Sequence, residues 1–345
     1  MITPNQLHHL GEFGLIARWR NQLSQRAGVR LGIGDDAAVL DSLQVPIVTC
    51  DGLVEKVHFR RDWTAPRALG RKAISVNVSD IAAMGGRPVA AFITIAIGPN
   101  DDLEFLEELY AGFEEAAADY NLSIAGGDTV RSPTELMLNI TVIGDAPMPI
   151  LRSGAQVGDL LLVTGTLGDS AAGLALLQNP SLTVPAAAGT YLLQRHHDPT
   201  ARLAEMQAAL QMSPVTGQLA SVPPDVTAAL DISDGLAGDA AHMAECSLVS
   251  LEIEVAQLPI SPSCQETAAI MGVSALDWAL RGGEDYELLL CVPSHLAHDV
   301  QERITKATGT QVTVIGRCVP RTSDAVILIY PDGTRAAAGS AFSHF

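Results

Sequence analysis

Cysteine and long hydrophobic runs are both scarce in this 345-residue sequence. Their scarcity argues against a disulfide-stabilised protein, a zinc protein and a membrane-spanning protein. The five cysteines show no CxxC or other metal-ligand spacing, so neither a disulfide framework nor a zinc site is expected. No run reaches the roughly 18 uncharged apolar residues of a membrane span, and residues 1–13 lack the basic and apolar regions of a secretory signal. We therefore expect a cytoplasmic protein whose cysteines are reduced and mostly buried.

Positive charge is also scarce. The chain has 21 Lys and Arg residues against 39 Asp and Glu residues, which gives a formal net charge of -18 and a pI of about 4.7. Such a surface does not attract nucleic acid or an anionic membrane. An anionic substrate would need metal ions as mediators.

The common nucleotide-binding motifs are missing as well. The sequence contains no Walker A motif, no HRD loop of protein kinases and no Rossmann GxGxxG. A phosphoryl-transfer enzyme with this sequence would not use the usual nucleotide folds.

The hydrophobic pattern and the length predict two α/β domains. An amphipathic helix is expected over 12–27, and the rest of the first half predicts helices from Pro66 to the glycines at 85 and 86 and over 102–120, with strands over 89–97 and 136–143. Two helices over a mostly antiparallel sheet is the simplest arrangement.

The second half begins where the periodic pattern pauses between two prolines, so we place the domain boundary near residue 148, giving domains 1–148 and 149–345. A strand over 159–164 opens a second series of strand and helix units, and a turn at 331–333 closes it. Residues 179–217 are predicted to be an excursion with its own helices. The sequence does not give the role of this excursion.

Six aspartates lie at the ends of apolar segments beside glycine or small polar residues: Asp36, Asp51, Asp80, Asp128, Asp231 and Asp234. A carboxylate is costly there unless it is paired or binds a cation. Any one of them is most simply a turn residue or a helix N-cap, although Asp80 lies inside a helical pattern. Mg²⁺ prefers oxygen ligands and shares one or two carboxylates with substrate phosphates, so the group together favours a phosphate site with several metal ions.

Other residues give weaker signals with two readings each. Gly126 and Gly127 would allow a phosphate or adenine to approach the backbone, and the TGTLGDS segment before a helix would direct N–H groups at an anion. Arg152 is either a phosphate ligand or a surface partner of an aspartate. From the sequence alone, His58 is most simply a half-buried structural histidine. Glu284 most simply forms hydrogen bonds with the backbone of its own turn.

Eight segments in order resemble the thiamine-monophosphate kinases over almost the whole chain: GEFGLIARW, GIGDDAAVL, DGLVEKVHF, KAISVNVSDIAAMGGRP, AGGDT, RSGAQVGDLLLVTGTLGDSAAGLALLQ, LDISDGLAGD and LRGGEDYELLL. That family belongs to a superfamily with aminoimidazole ribonucleotide synthetase, selenophosphate synthetase and a hydrogenase maturation factor. The resemblance implies an N-terminal mixed sheet with helices on one face, which pairs with the sheet of a second subunit. It also implies a C-terminal α/β domain that completes the active site, with ATP bound in the cleft.

The resemblance also implies roles for individual residues. Mg²⁺ ligands are implied at Asp36, Thr49, Asp51, Asp80, Asp128, Asp231 and Asp234. Nucleotide contacts are implied at Gly127, Asp128, Arg152 and Ser233. Contacts to the thiamine substrate are implied at His58, Glu284 and Phe342. Two positions depart from the family, since relatives usually carry a hydroxyl residue where this chain has Cys50 and often a tyrosine where it has Phe342.

The implied activity is ATP-dependent phosphorylation of thiamine monophosphate to thiamine diphosphate with release of ADP, the last step of thiamine diphosphate biosynthesis. A phosphate monoester is already largely ionised near neutral pH, so we assign no general base and no covalent nucleophile. A selenophosphate synthetase would need a reactive cysteine near the N-terminus, and the hydrogenase factor a C-terminal cysteine, which this chain lacks. The rival from another class is a non-catalytic nucleotide-binding protein, which would bind ATP without turnover.

Overall fold

Two units make up the structure of this chain, a computed structural model that describes residues 5–99, 101–211 and 224–339. The first contains the described residues up to Ile81 together with Gly86–Pro147, and the second contains Ala82–Gly85 and the described residues from Met148 onward. No helix in these ranges is long and apolar enough to cross a membrane.

The N-terminal unit is a mixed sheet with helices on one face. Its elements are α1 (Asn5–Arg20), β1 (Val29–Leu31), β2 (Val39–Leu40), β3 (Pro46–Val54), α2 (Pro66–Ala83), β4 (Arg87–Ile97), α3 (Leu103–Asp119), β5 (Ser123–Arg131) and β6 (Met137–Asp145). The main sheet has the order β3-β6-β4-β5, in which β6 is antiparallel to both its neighbours and β5 is parallel to β4. The predicted fold class of this half is confirmed.

Local signals explain why α3 begins and ends where the sequence predicts. The Asp102 carboxylate accepts a hydrogen bond of 2.8 Å from the Phe105 N–H and so caps the first turn, while Tyr120 is the C-cap. Apolar residues repeat at helical spacing along the buried face, including Leu106 and Phe113.

The predicted opening helix over 12–27 is wrong at its end. Helix α1 is broken at Gly11, where φ is 63°, so its second segment begins at residue 12 as predicted, but it ends at Arg20. The chain leaves the helix because later backbone groups find distant partners: the Ser24 N–H donates to the Glu114 carboxylate at 3.2 Å, and the Arg26 N–H to Ser123 Oγ at 2.6 Å. These hydrogen bonds outweigh the helical preference of residues 21–27.

Helices α2 and α3 cross at two glycines. A Cβ at Gly70 would lie 2.2 Å from the Leu109 carbonyl oxygen, and a Cβ at Gly112 would lie 2.0 Å from the Arg67 carbonyl oxygen. The two backbones therefore meet at a distance that no other residue permits.

The Gly112→Ala variant is expected to lower the free energy of unfolding by about 1–3 kcal/mol, because the added methyl group forces the two helices apart. Urea denaturation would measure the loss. The matched control is Gly189→Ala, also within a helix, where the added Cβ meets only the Val184 side chain at 3.3 Å. That variant should be unchanged or more stable, and equal losses in both variants would contradict the helix-crossing argument.

The C-terminal unit is a larger sheet covered on both faces. Its elements are β7 (Asp159–Thr164), α4 (Asp169–Gln178), α5 (Ala186–His197), α6 (Leu203–Ala209), β8 (Ala228–Ile232), α7 (Leu236–Ser247), β9 (Val249–Glu254), α8 (Pro262–Met271), α9 (Ala275–Arg281), β10 (Glu287–Pro293), α10 (Ala297–Thr308), β11 (Val312–Pro320), β12 (Val326–Ile329) and β13 (Arg335–Ala337). The strand order is β13-β12-β9-β11-β7-β10-β8, and only the β12–β9 pair is parallel among these strands.

The alternation of side-chain direction along the central strands explains why both faces of the sheet are buried. In β10, Leu289 and Cys291 belong to one buried cluster, whereas Leu288 and Leu290 belong to another. Successive side chains of a strand point to opposite faces, so the apolar run of β10 fills two cores at once. The predicted strand over 159–164 and the predicted turn at 331–333 are confirmed. The excursion contains α5 and α6 in its described part.

Candidate functional site

Three of the predicted metal ligands lie together where β3 faces α2. The Thr49 hydroxyl donates a short hydrogen bond to the Asp80 carboxylate. The Asp51 backbone N–H donates to Asn77 Oδ1 at 3.1 Å, and the buried Asn77 side chain is itself held by the Ala73 carbonyl oxygen at 3.0 Å. Asn77 and Asp80 share one face of α2 because residues three apart are neighbours on a helix. The supporting role of Asn77 was not predicted from the sequence.

Asp128 is exposed on β5, opposite Thr94 of β4. Its Oδ1 accepts a hydrogen bond of 2.9 Å from the Thr129 N–H. The glycine before it is required by strand packing, since a Cβ at Gly127 would lie 1.9 Å from the Ile93 carbonyl oxygen. The smallness of Gly127 is thus explained without a ligand, and its nucleotide contact stays a prediction.

Asp36 and His58 lie in two turns of the N-terminal unit. Asp36 is exposed between β1 and β2, where its N–H donates to Asp35 Oδ1 at 2.8 Å. His58 follows β3 and is partly buried, with Nδ1 accepting a hydrogen bond of 3.1 Å from the Val54 N–H. Nδ1 therefore acts as an acceptor, and the neutral ring carries its proton on Nε2.

In the C-terminal unit, a buried carboxylate shapes the turn after β8. The N–H groups of Ser233 and Asp234 donate to Asp239 Oδ2 at 3.1 and 3.0 Å. Burial raises the pKa of Asp239 to about 7, while the positive charge of Arg152 acts in the opposite direction. Asp231 is buried at the end of β8 and Asp234 is exposed. Asp239 was not among the residues predicted from the sequence, although its place in the SDGLAGD segment, close to Asp234, made it a candidate.

Glu284 is brought against the same turn. Its N–H donates to the Ser233 carbonyl oxygen at 2.7 Å, and the Tyr286 N–H donates to the Ile232 carbonyl oxygen at 2.9 Å. Both residues have the positive φ values that favour glycine, 67° and 51°. The structure thus joins Ser233, Asp234 and Glu284 in one unit, with Arg152 near enough for its charge to act on Asp239. Phe342 lies outside the described residues.

The N–H groups of the TGTLGDS segment bind a carboxylate side chain of the protein itself. The N–H groups of Gly168 and Ser170 donate to the buried Asp285 carboxylate at 2.7 and 3.2 Å. Burial raises the pKa of Asp285 to about 7. The expected anion-binding turn is therefore present, but an internal carboxylate occupies it.

Each unit by itself has oxygen donors of the kind that a hard divalent cation prefers. Within the described residues, no three His, Cys, Asp or Glu side chains are grouped closely enough to hold a metal ion on their own. Mg²⁺ commonly binds through one or two carboxylates together with water and substrate phosphates. Asp80 beside the Thr49 hydroxyl and the exposed Asp128 and Asp234 supply that kind of donor.

Comparison with known proteins gives consistent matches along the chain. Residues 34–146 match the AIR synthase related protein N-terminal domain, and residues 156–329 match the corresponding C-terminal domain. The thiamine-monophosphate kinase of Escherichia coli K12 is 40% identical over 289 residues, covering 82% of this chain and 83% of the relative.

Solved structures agree with these matches. The thiamine-monophosphate kinase of Stenotrophomonas maltophilia K279a is 33% identical with a TM-score of 0.80, covering 94% of this chain and 98% of the other. A structure described as AaThiL complexed with AMPPCP and TMP is 33% identical with a TM-score of 0.74, covering 98% of each chain.

Proposed function

The chain belongs to the thiamine-monophosphate kinases among the AIR synthase related proteins, and from this membership we infer that it transfers the γ-phosphate of ATP to thiamine monophosphate. The observation that carries the inference is similarity to these kinases across both domains, at 33–40% identity. The likeness extends over 98% of the chain to a protein complexed with an ATP analogue and TMP. The products are thiamine diphosphate and ADP.

We propose that Mg²⁺ is required and that the assigned residues keep the roles implied by the resemblance. Residues 1–148 would supply the metal ligands Asp36, Thr49, Asp51, Asp80 and Asp128 and form the dimer, and residues 149–345 would complete the site with Arg152, Asp231, Ser233, Asp234 and Glu284. The short hydrogen bond between Thr49 and Asp80 and the shared turn of Ser233 and Glu284 support this assignment. The contacts of Gly127, His58 and Phe342 with ligands, and a cytoplasmic location, belong to the same proposal.

We propose direct in-line transfer, in which a terminal phosphate oxygen of thiamine monophosphate attacks the γ-phosphorus of ATP. Both reactants are anions, and bound Mg²⁺ would supply charge neutralisation. A loose transition state leaves little covalent work for the protein, so its residues act by binding and orienting the two phosphates.

The first experiment is incubation of the purified protein with thiamine monophosphate, ATP and Mg²⁺, with both products followed by chromatography. Equimolar thiamine diphosphate and ADP that depend on the metal would support the proposal. Bound but intact ATP would favour the non-catalytic alternative, and ADP formed only with another acceptor would remove thiamine monophosphate as the substrate.

We also propose that the protein is a homodimer formed through the face of the N-terminal sheet opposite α2 and α3. Alternate residues of β3 point to this open face: Val48 is 64% exposed and Cys50 is exposed. Asn139 and Thr141 on β6 lie beside the Cys50 sulfur at 3.2–3.4 Å. A second copy of the sheet would cover these residues.

Cys50 gives a test of this interface. Cys264, Cys291 and Cys318 are buried, and burial raises the pKa of Cys264 to about 12, so the native monomer should expose only Cys50 and Cys246 to a thiol reagent. In the Cys246→Ser variant, labelling of Cys50 should slow as protein concentration rises and the dimer forms, with light scattering giving the mass. A dimer in which Cys50 reacts as fast as in the monomer would place the interface elsewhere.

A further inference from the structure

Helix α5, in the excursion over 179–217, contacts the segment that carries Glu284. The Arg195 guanidinium donates to the Asp285 carbonyl oxygen at 3.2 Å and to Glu287 Oε1 at 2.7 Å. The next residue along the helix, His196, has its Nδ1 3.3 Å from Glu284 Oε2. The excursion therefore contacts three residues of the GGEDYE segment: Glu284, Asp285 and Glu287.

The position of the His196 ring is fixed by close helix packing. Helices α4 and α5 meet at Gly173, where a Cβ would lie 2.3 Å from the Leu192 carbonyl oxygen and 3.0 Å from His196 Cβ. His196 is only 6% exposed, and its Nδ1 also lies 3.0 Å from Ser170 Oγ. A carboxylate only accepts hydrogen bonds, so the contact with Glu284 is favourable when Nδ1 carries a proton.

Glu284 has a fixed backbone but a more exposed side chain. Its φ of 67° is uncommon for a residue with a Cβ, and its N–H is bonded to Ser233. The carboxylate side chain is 28% exposed, and its Oε2 lies beside the nearly buried His196 ring. The contact with His196 therefore favours the rotamer in which the carboxylate faces the ring.

We propose that His196 is a positioning residue that orients the Glu284 carboxylate toward the thiamine end of the substrate. The excursion would then serve to set the affinity for thiamine monophosphate, a role that the sequence alone does not give. This inference rests on the proposed function, since it takes Glu284 as a contact to that substrate.

The test separates a positioning role from a structural one by steady-state kinetics. The His196→Ala variant should raise KM for thiamine monophosphate by about tenfold, because a hydrogen bond to a charged group is lost, while KM for ATP and kcat change by less than about twofold. His196→Asn keeps an N–H near the Nδ1 position and should restore most of the affinity. His196→Gln places its amide near the Nε2 position and should not.

A double-mutant cycle with Glu284→Ala shows whether His196 acts through Glu284. His196→Ala should raise KM no further when Glu284 is already absent. His298→Ala, at an exposed histidine of α10, is the matched control and should match the unmodified protein. If His196→Ala does not fold, as a melting curve would show, the comparison of the Asn and Gln variants carries the test.

Several outcomes would overturn the inference. The first is that the effects of the two substitutions on KM are additive in the cycle. The second is that His196→Ala raises KM equally for both substrates, and the third is that His196→Asn and His196→Gln have the same KM for thiamine monophosphate. Thiamine monophosphate turnover with an unchanged KM in Glu284→Ala would remove Glu284 from the site, and His196 with it, while leaving the activity established. Absence of any turnover in the unmodified protein would instead refute the proposed function.

Discussion

The Asp128→Asn variant is expected to lose thiamine monophosphate phosphorylation by at least about a hundredfold while keeping its fold. Asp128 is exposed on β5 and forms no ion pair in the described part of the chain. Asparagine keeps the shape and the oxygen that accepts the Thr129 N–H, but it removes the charge that would hold Mg²⁺. Initial rates measured over a range of Mg²⁺ concentrations would show the loss.

The matched control for this variant is Asp119→Asn. Asp119 is an exposed aspartate at the end of α3 whose carboxylate pairs with Arg71 at 3.0 Å, and losing such a surface pair costs about 1 kcal/mol or less. Its rate should equal that of the unmodified protein. Full activity in Asp128→Asn with an unchanged melting curve would exclude Asp128 from the metal site.

Elements with strong local signals were predictable from the sequence. Helix α3 has an N-cap at Asp102 and a continuous apolar face, and β7 has an apolar run followed directly by a glycine turn. Each boundary is therefore set by residues in the element or next to it. The end of α1 was not predictable, because it depends on partners such as Glu114 and Ser123, about 90 residues along the chain. Local patterns carry no information about such contacts.

The candidate site shows the same division. The six aspartates were predicted as a group from their unusual placement beside apolar segments, and the structure joins Asp80 to Thr49. Their binding of a metal ion stays a prediction. The supporting carboxylates Asp239 and Asp285 were not singled out, because their partners become neighbours only after folding.

Burial separates two kinds of carboxylate that look alike in the sequence. Asp36, Asp128 and Asp234 are exposed and form no ion pair within the described ranges. Asp285 and Glu287 are fully buried and bonded to the chain's own donors. In a protein of formal net charge -18, we expect the first kind to bind cations, whereas the second kind holds the chain's own segments in place.

The Glu287→Ala variant is expected to have the largest effect on stability. Glu287 Oε1 accepts from Arg195 at 2.7 Å and Arg202 at 2.6 Å, and Oε2 accepts from Arg202 at 2.6 Å and Thr164 at 2.7 Å. The arginine side chains are only 13% and 15% exposed. Removing the carboxylate takes the ion-pair partner from the largely buried Arg195 and leaves Arg202 with Glu205 alone, at 3.4 Å, which costs about 3–5 kcal/mol.

That loss should lower the melting temperature by roughly 6–20 °C. The matched control is Glu252→Ala, because Glu252 also accepts from two arginines, at 3.0 and 2.5 Å, but Arg317 and Arg335 are 63% and 49% exposed. Water can solvate those arginines when the carboxylate is gone, so the control should lose about 1 kcal/mol or less. Equal losses in the two variants would show that burial of the arginine partners does not set the strength of the Glu287 network.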